Sequence, residues 1–213
     1  MEKLDYKKAF KDLYLPKAEP AAIVVPPMQF LMVEGCGNPN TPGGEYQQSV
    51  GLLYALAYTI KMSKAGSDVD GYFEYSMPPL EGQWWLSHGG KYEFLSDDKD
   101  KFCFCSMLRQ PEFITQEIFL WACGEVERKK GIGTAKARLT QFEEGLCVQC
   151  MHIGPYDEEP KTLSRMLRFM EENGYAGDIN DTRRHHEIYL KDPLKTKPEN
   201  LLTVLRHPVR QIV

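Results

Sequence analysis

No apolar run in this chain approaches the roughly 18 residues that mark a membrane-spanning helix, so such a helix is excluded by length. No apolar core follows the charged start Met1-Glu2-Lys3-Leu4-Asp5-Tyr6-Lys7-Lys8, which argues against secretion and for a cytoplasmic chain. An excess of positive charge is also missing: Lys and Arg number 26 against 30 Asp and Glu, a net charge of −4. A direct nucleic-acid partner is therefore not expected, because binding one needs a basic surface that displaces counterions. The local basic run Arg128-Lys129-Lys130 reads as a helix C-terminus facing the dipole, and Arg183-Arg184-His185-His186 as a solvated approach to a strand.

Cysteine is sparse, with six residues at 36, 103, 105, 123, 147 and 150. Cys147-Val148-Gln149-Cys150 has the spacing of a zinc or redox half-site, but there is no second half, and residues three apart on a strand face opposite ways. Free, mostly buried thiols in a reducing compartment are expected, with no metal and no cofactor. Neither a Ser-His-Asp nor a Cys-His arrangement for acyl-enzyme chemistry is legible.

What is present is an ordinary globular composition, 42% hydrophobic and 26% charged, long enough to bury a sizeable core. Residues 1–25, charged and then rich in Pro and Ala, read as an N-terminal arm, and Pro26-Pro27 as the start of the folded unit. Strands are predicted at 29–35, 72–77, 102–108, 135–142, 146–153 and 185–190, with a last one near the C-terminus that Pro208 limits. Helices are predicted at 44–64, 115–131 and 159–173 from their apolar spacing. The second of these carries an apolar stripe of Ile118, Trp121, Ala122 and Val126.

The order strand–helix–strand–strand occurs twice, over about 26–110 and 145–213, with the helix at 115–131 between them. The expected fold class is α+β: two such repeats forming one antiparallel sheet, with helices on one face and a ligand cleft on the other. Pseudo-twofold junctions of this kind often hold ligands.

His185-His186-Glu187-Ile188-Tyr189-Leu190-Lys191 alternates as a strand. His186, Ile188 and Leu190 share one face; His185, Glu187, Tyr189 and Lys191 share the other. A carboxylate and a phenol side by side make a ligand floor, and an aromatic-lined, partly dry setting pushes a carboxylate towards the range useful for proton transfer. Adjacent histidines diverge on a strand and do not read as a metal pair. Trp84 and Trp85 are neighbours, so on an extended segment one faces the cleft and the other the core. Phe104 shares a strand face with Phe102, and either is a candidate cavity wall; Tyr156, after Gly154-Pro155, is a candidate rim. Trp121 lies on a helix stripe and reaches a ligand only if that helix lines the cleft.

Five segments in order, Leu80-Glu81-Gly82-Gln83-Trp84-Trp85, Glu144-Gly145-Leu146-Cys147-Val148-Gln149, His152-Ile153-Gly154-Pro155-Tyr156, His185 through Pro193, and Leu205-Arg206-His207-Pro208-Val209, resemble a stand-alone GyrI-like protein over about residues 20–213. The resemblance implies a two-repeat sheet with a pocket for aromatic, often cationic, small molecules, and a pocket glutamate on the penultimate strand, the position of Glu187. The fold also serves as the effector-binding domain of multidrug-responsive regulators, whose helix-turn-helix arm has no counterpart before Pro26. Some stand-alone members similar to this chain hydrolyse cyclopropane-bearing DNA alkylators through an aromatic cage and without a cofactor. Under that reading Glu187 and Tyr189 are catalytic, and Trp84, Trp85, Phe104, Trp121 and Tyr156 bind the ligand. The alternative is a protein that only sequesters small molecules or senses them as effectors.

Overall fold

The computed structural model describes residues 3–87 and 99–212. Among these, two four-residue helices, α1 (Tyr6–Ala9) and α2 (Lys11–Tyr14), precede strands β1 (Ala21–Val25) and β2 (Met28–Cys36). Helix α3 (Glu45–Met62), strands β3 (Leu80–Leu86) and β4 (Phe102–Arg109), and helix α4 (Gln116–Lys130) follow. Then come β5 (Ala137–Phe142), β6 (Gly145–Ile153), α5 (Glu159–Glu172), β7 (Tyr175–Gly177), β8 (His185–Tyr189) and β9 (Leu202–Gln211). The strands form one antiparallel sheet in the order β1-β6-β9-β8-β3-β4-β2-β5, with β7 added to β9.

That order is symmetric about the β8–β3 pair. Each half runs outward through β9, β6 and β1 on one side and β4, β2 and β5 on the other. The expected α+β fold and its two repeats are present, with one exchange. The first repeat uses Leu80–Leu86, not Tyr72–Met77, as its inner strand. Residues 72–77 touch only one bridge, Leu4 to Tyr75. Their rings instead gather around Phe113, with centroid distances of 5.0 Å from Tyr72 and 5.2 Å from Phe73. Glu81 and Gln83 hid the true strand, because polar residues at alternate positions signal a wet face, yet both are buried here.

Helix α3 lies on the sheet with Leu52, Leu53, Leu56 and Ile60 buried, and α5 buries Leu163, Met166 and Met170 against Val148, Cys150 and Leu205. Helix α4 is capped by the Thr115 hydroxyl and ended by Gly131 in the left-handed region, φ 66°. Its buried stripe is Phe119, Ala122 and Val126, which leaves Trp121 about 100° round the helix and 43% exposed.

The cleft is not on the face opposite the helices. Registers across the sheet put Gly35, Phe104, Gly82, Trp84, Glu187 and Tyr189 on the same face as α3 and α5, and the cleft opens between those two helices. The reverse face is already filled. Residues of the first 25, read from sequence as an arm, cross it, with Tyr6, Leu13 and Tyr14 buried and β1 paired to β6. Helices of one turn are too short to show periodicity, so their contribution was not legible.

Beneath the arm lies an ionic cluster. His186 Nε2 is 3.1 Å from Glu81 Oε2, and His186 Nδ1 is 3.0 Å from Glu144 Oε2. Arg206 Nη1 reaches the same Glu144 oxygen at 3.0 Å, and its Nη2 donates to Leu13 O at 2.9 Å. Tyr14 donates to Glu81 Oε1 at 3.2 Å. Burial disfavours charge on both His186 and Glu144, but their mutual attraction outweighs it, with help from Glu81 at His186 and Arg206 at Glu144. His186 rises to about 9 and Glu144 falls to about 2.

The expected free thiols are found at Cys105, Cys123, Cys147 and Cys150, but Cys36 and Cys103 form a disulfide. The two face each other across the β2–β4 ladder, a pairing that a sequence separation of 67 conceals.

Two outcomes follow from the cluster. Glu144→Gln leaves buried cations short of a partner and should cost about 3–5 kcal/mol in urea unfolding. The His186 contribution is complete below about pH 6.5, its ordinary value, and is lost as pH rises through about 9. The Glu144 contribution is complete above about 4.5 and is lost as pH falls towards about 2. The difference in urea midpoint between wild type and Glu144→Gln should therefore be largest between about pH 4.5 and 6.5; a difference unchanged from pH 6.5 to 9 would contradict this.

Candidate functional site

The cleft between α3 and α5 has a volume of about 1460 Å³ and is floored by the central strands. Glu187 and Tyr189 come from β8, Trp84 from β3, Tyr46 and Tyr54 from α3, Phe102 from β4, and Glu159 from the first position of α5. The β3–β8 register sets Gly82 opposite Glu187 and Trp84 opposite His185. A side chain at 82 would stand 3.1 Å from Trp84 Nε1 and 3.3 Å from the Tyr189 hydroxyl, so glycine leaves room for those groups to meet.

They meet in a chain of hydrogen bonds. Trp84 Nε1 donates to the Tyr189 hydroxyl at 2.9 Å, and that hydroxyl donates to Glu187 Oε2 at 2.6 Å. On its other oxygen Glu187 accepts from His185 Nε2 at 3.0 Å, and His185 Nδ1 lies 2.7 Å from His207 Nε2. Because a carboxylate only accepts, the tautomers that satisfy the chain have His207 Nε2–H donating to His185 and His185 Nε2–H donating to Glu187. Burial, reinforced by His185, holds His207 well below its ordinary value and so neutral.

The aromatic wall is continuous. The Tyr46 ring sits 5.3 Å from Trp84 and 5.1 Å from Phe104, and Tyr156 meets Tyr189 edge-on at 5.9 Å. Burial raises the phenols of Tyr46, Tyr156 and Tyr189, and Glu187 raises all three further; Tyr156 is pushed up to about 12. All three are thus donors at neutral pH. Glu159 is held well above the carboxylate range, first by burial and then by the neighbouring Glu187 and Asp157.

The sequence candidates divide accordingly. Glu187, Tyr189, Trp84 and Tyr156 line the cleft. Phe104 is fully buried behind Trp84 and Tyr46 and supports the wall without facing the opening. Trp85 points to the reverse face, where Arg184 lies 3.8 Å over its ring. Trp121 is exposed on α4 and does not line the cleft, because α4 packs on α3 away from the junction. Phe102, the other candidate wall, does line the cleft. Tyr46, Glu159, His185 and His207 were not singled out for the site. Tyr46 and Glu159 begin their helices, and only the fold shows that both helix starts point at the β8–β3 junction.

His185, Glu159 and Glu187 each present one atom within 4.8 Å of the others, a set that could in principle reach a metal ion. The hydrogen bond between His185 and Glu187 already satisfies His185 Nε2 and Glu187 Oε1.

Residues 18–210 match the model of the GyrI-like small molecule binding domain. The chain belongs to the GyrI-like family. Two solved structures cover 98% of this GyrI-like chain and are themselves covered completely. One, an uncharacterized conserved protein from Listeria innocua, is 48% identical with a TM-score of 0.90; the other, a hydrolase from Listeria innocua, is 46% identical with a TM-score of 0.86. The C-terminal domain of EcmrR, 13% identical over 91% of this chain and 98% of its own, has a TM-score of 0.53 and shares the fold alone. No curated protein matches the GyrI-like chain. Among its described residues no helix is long and apolar enough to cross a membrane.

Placement of the three tryptophans yields a test. A polycyclic aromatic dye should quench emission from Trp84 and not from Trp85 or Trp121. Replacing Trp84 by Phe should remove the quench, and replacing it by Ala should weaken dye binding about 2–10-fold, the worth of one aromatic contact. Trp121→Phe should change neither, and loss of the quench in that variant would move the site to α4.

Proposed function

We propose that this chain binds flat aromatic or cationic xenobiotics in the α3–α5 cleft and hydrolyses strained electrophilic ones, cyclopropanoid DNA alkylators in particular. The observation that carries the reading is Glu187. Its carboxyl is 7% exposed at the bottom of an aromatic cleft and held at both oxygens, by Tyr189 and by His185. A group so fixed is suited to placing one water molecule. The Listeria innocua structure named a hydrolase, at 46% identity, points the same way.

The reaction is the addition of water. A cyclopropane joined to a dienone opens when water oxygen bonds to the ring methylene and the ring carbon–carbon bond breaks. The electron pair moves through the dienone to its carbonyl oxygen, which gains a proton and becomes a phenol. Glu187 accepts the proton that the water loses. Tyr189, whose hydroxyl accepts from Trp84 and donates its one proton to Glu187, holds that carboxyl in place and has a remaining lone pair to accept from a water or ligand donor. Trp84, Tyr46 and Tyr156 offer π faces to a flat ligand, each worth roughly 0.5–2 kcal/mol for a cation. The cleft carboxyls and the net charge of −4 oppose a nucleic-acid partner. Such an enzyme would act in the cytoplasm on compounds that have entered the cell.

Purified protein should convert a cyclopropanoid alkylator to its ring-opened alcohol faster than buffer does. Glu187→Gln should lose turnover by about 100-fold or more while still binding, since a positioned base contributes roughly 10²–10⁴. Binding by wild type with product no faster than the spontaneous background would leave a sequestering or effector-binding protein in its place.

A further inference from the structure

We propose that Glu159 and Glu187 form a carboxyl pair sharing one proton, and that Glu159 is the second catalytic residue of the hydration, delivering the proton that the ligand's carbonyl oxygen gains. This rests on the hydrolytic reading above and adds the acid that reading lacks. Glu159 opens α5 and lines the cleft, yet its side chain is 7% exposed. An oxygen of its carboxyl lies within 4.8 Å of one of Glu187, and its Oε1 is buried with no protein partner among the described residues. Two buried carboxyls this close cannot both be ionised without large repulsion, so one keeps a proton.

The surroundings fix which one. Both oxygens of Glu187 are already occupied as acceptors, from Tyr189 and from His185. Glu159 is flanked by burial, by Glu187 and by Asp157, all of which favour the protonated form. The groups facing the pair are Tyr46 from α3, Tyr156 and Asp157 from the turn before α5, His185 and Tyr189 from β8, and Asp192 beyond it, with His207 of β9 behind His185. Of the three lysines in the cleft wall, Lys99 is paired with Asp157, Lys191 is exposed and Lys7 of α1 is half-buried.

The step balances with water alone. Glu187 takes one proton from water as the oxygen bonds to the methylene carbon, and Glu159 gives one proton to the carbonyl oxygen as the ring bond breaks. Glu187 then holds the proton and Glu159 is the carboxylate. Transfer between the two neighbouring carboxyls restores the starting state, with no oxidant, reductant or bound cofactor.

The test uses a spirocyclopropyl dienone alkylator, its ring-opened product as a binding probe, and the wild-type, Glu159→Gln and Glu159→Asp proteins. Wild-type kcat should be bell-shaped in pH, falling on the alkaline side as the pair loses its shared proton. Glu159→Gln should lose at least about 100-fold in kcat and lose the alkaline limb, while product binding stays within about threefold. Glu159→Asp should recover part of the rate and the limb. A Glu159→Gln protein with near wild-type kcat and an intact alkaline limb would overturn the proposal. So would activity removed by a chelator and restored by a divalent cation, which would make Glu159, His185 and Glu187 metal ligands. Infrared titration of the free protein separates the pair from the reaction. A protonated carboxyl band at neutral pH in wild type, absent from Glu159→Gln, supports the pair, and its absence from wild type refutes it. If the band is present and wild type turns nothing over, the hydrolytic reading and the catalytic role of Glu159 fail together.

Discussion

The register between β3 and β8 is the constraint on which both faces of the molecule depend. Pairing Gly82 with Glu187 and Trp84 with His185 builds the cleft floor on one face. The same register pairs Gln83 with His186 and Glu81 with Ile188, which places the buried acid–base cluster on the other. A slip of one residue would exchange the two sets, exposing the ionic cluster to the cleft and driving Trp84 under the N-terminal arm. Register is strongly specified wherever each face has its own partners, and here each does. Arg206 and Glu144 hold one side while Tyr46 and Phe104 hold the other.

This division explains the order of the chain. His185 and His186 diverge, as adjacent strand residues must, and each enters a different network. His186 is charged and answers Glu144 and Glu81 in a cluster that the arm seals. His185 joins His207 to Glu187 beneath the cleft. The carboxyl at the cleft floor is thus attached to a buried hydrogen-bond chain that reaches β9, the strand next to β8, and its orientation does not depend on a mobile surface group.

Much of this was legible in the sequence. The alternation at 185–190 identified the face that carries Glu187 and Tyr189, and repetition of strand–helix–strand–strand identified the sheet and its junction. Periodicity reports which residues share a face but not which layer covers that face, so the cleft was expected opposite the helices when it lies between them. Buried polar residues defeat hydropathy for a related reason. Glu81 and Gln83 imitate a solvated strand, and only their partners, distant in the chain, show otherwise. Trp121 fits a helical stripe as well as Phe119 does, and the packing of α4 on α3 chose between them. Glu159 reads as an ordinary first-turn acid, favourable at any helix start, and nothing local separates that role from a cleft carboxyl.

The central claim is that ligand chemistry occurs over Glu187 between α3 and α5. A crystal structure with the ring-opened product bound tests it most directly. The account predicts the aromatic rings against Tyr46 and Trp84, the new alcohol oxygen within hydrogen-bond distance of Glu187, and the phenol oxygen within reach of Glu159. A product bound on the reverse face or beside α4, with the Glu187 cleft holding only water, would contradict it.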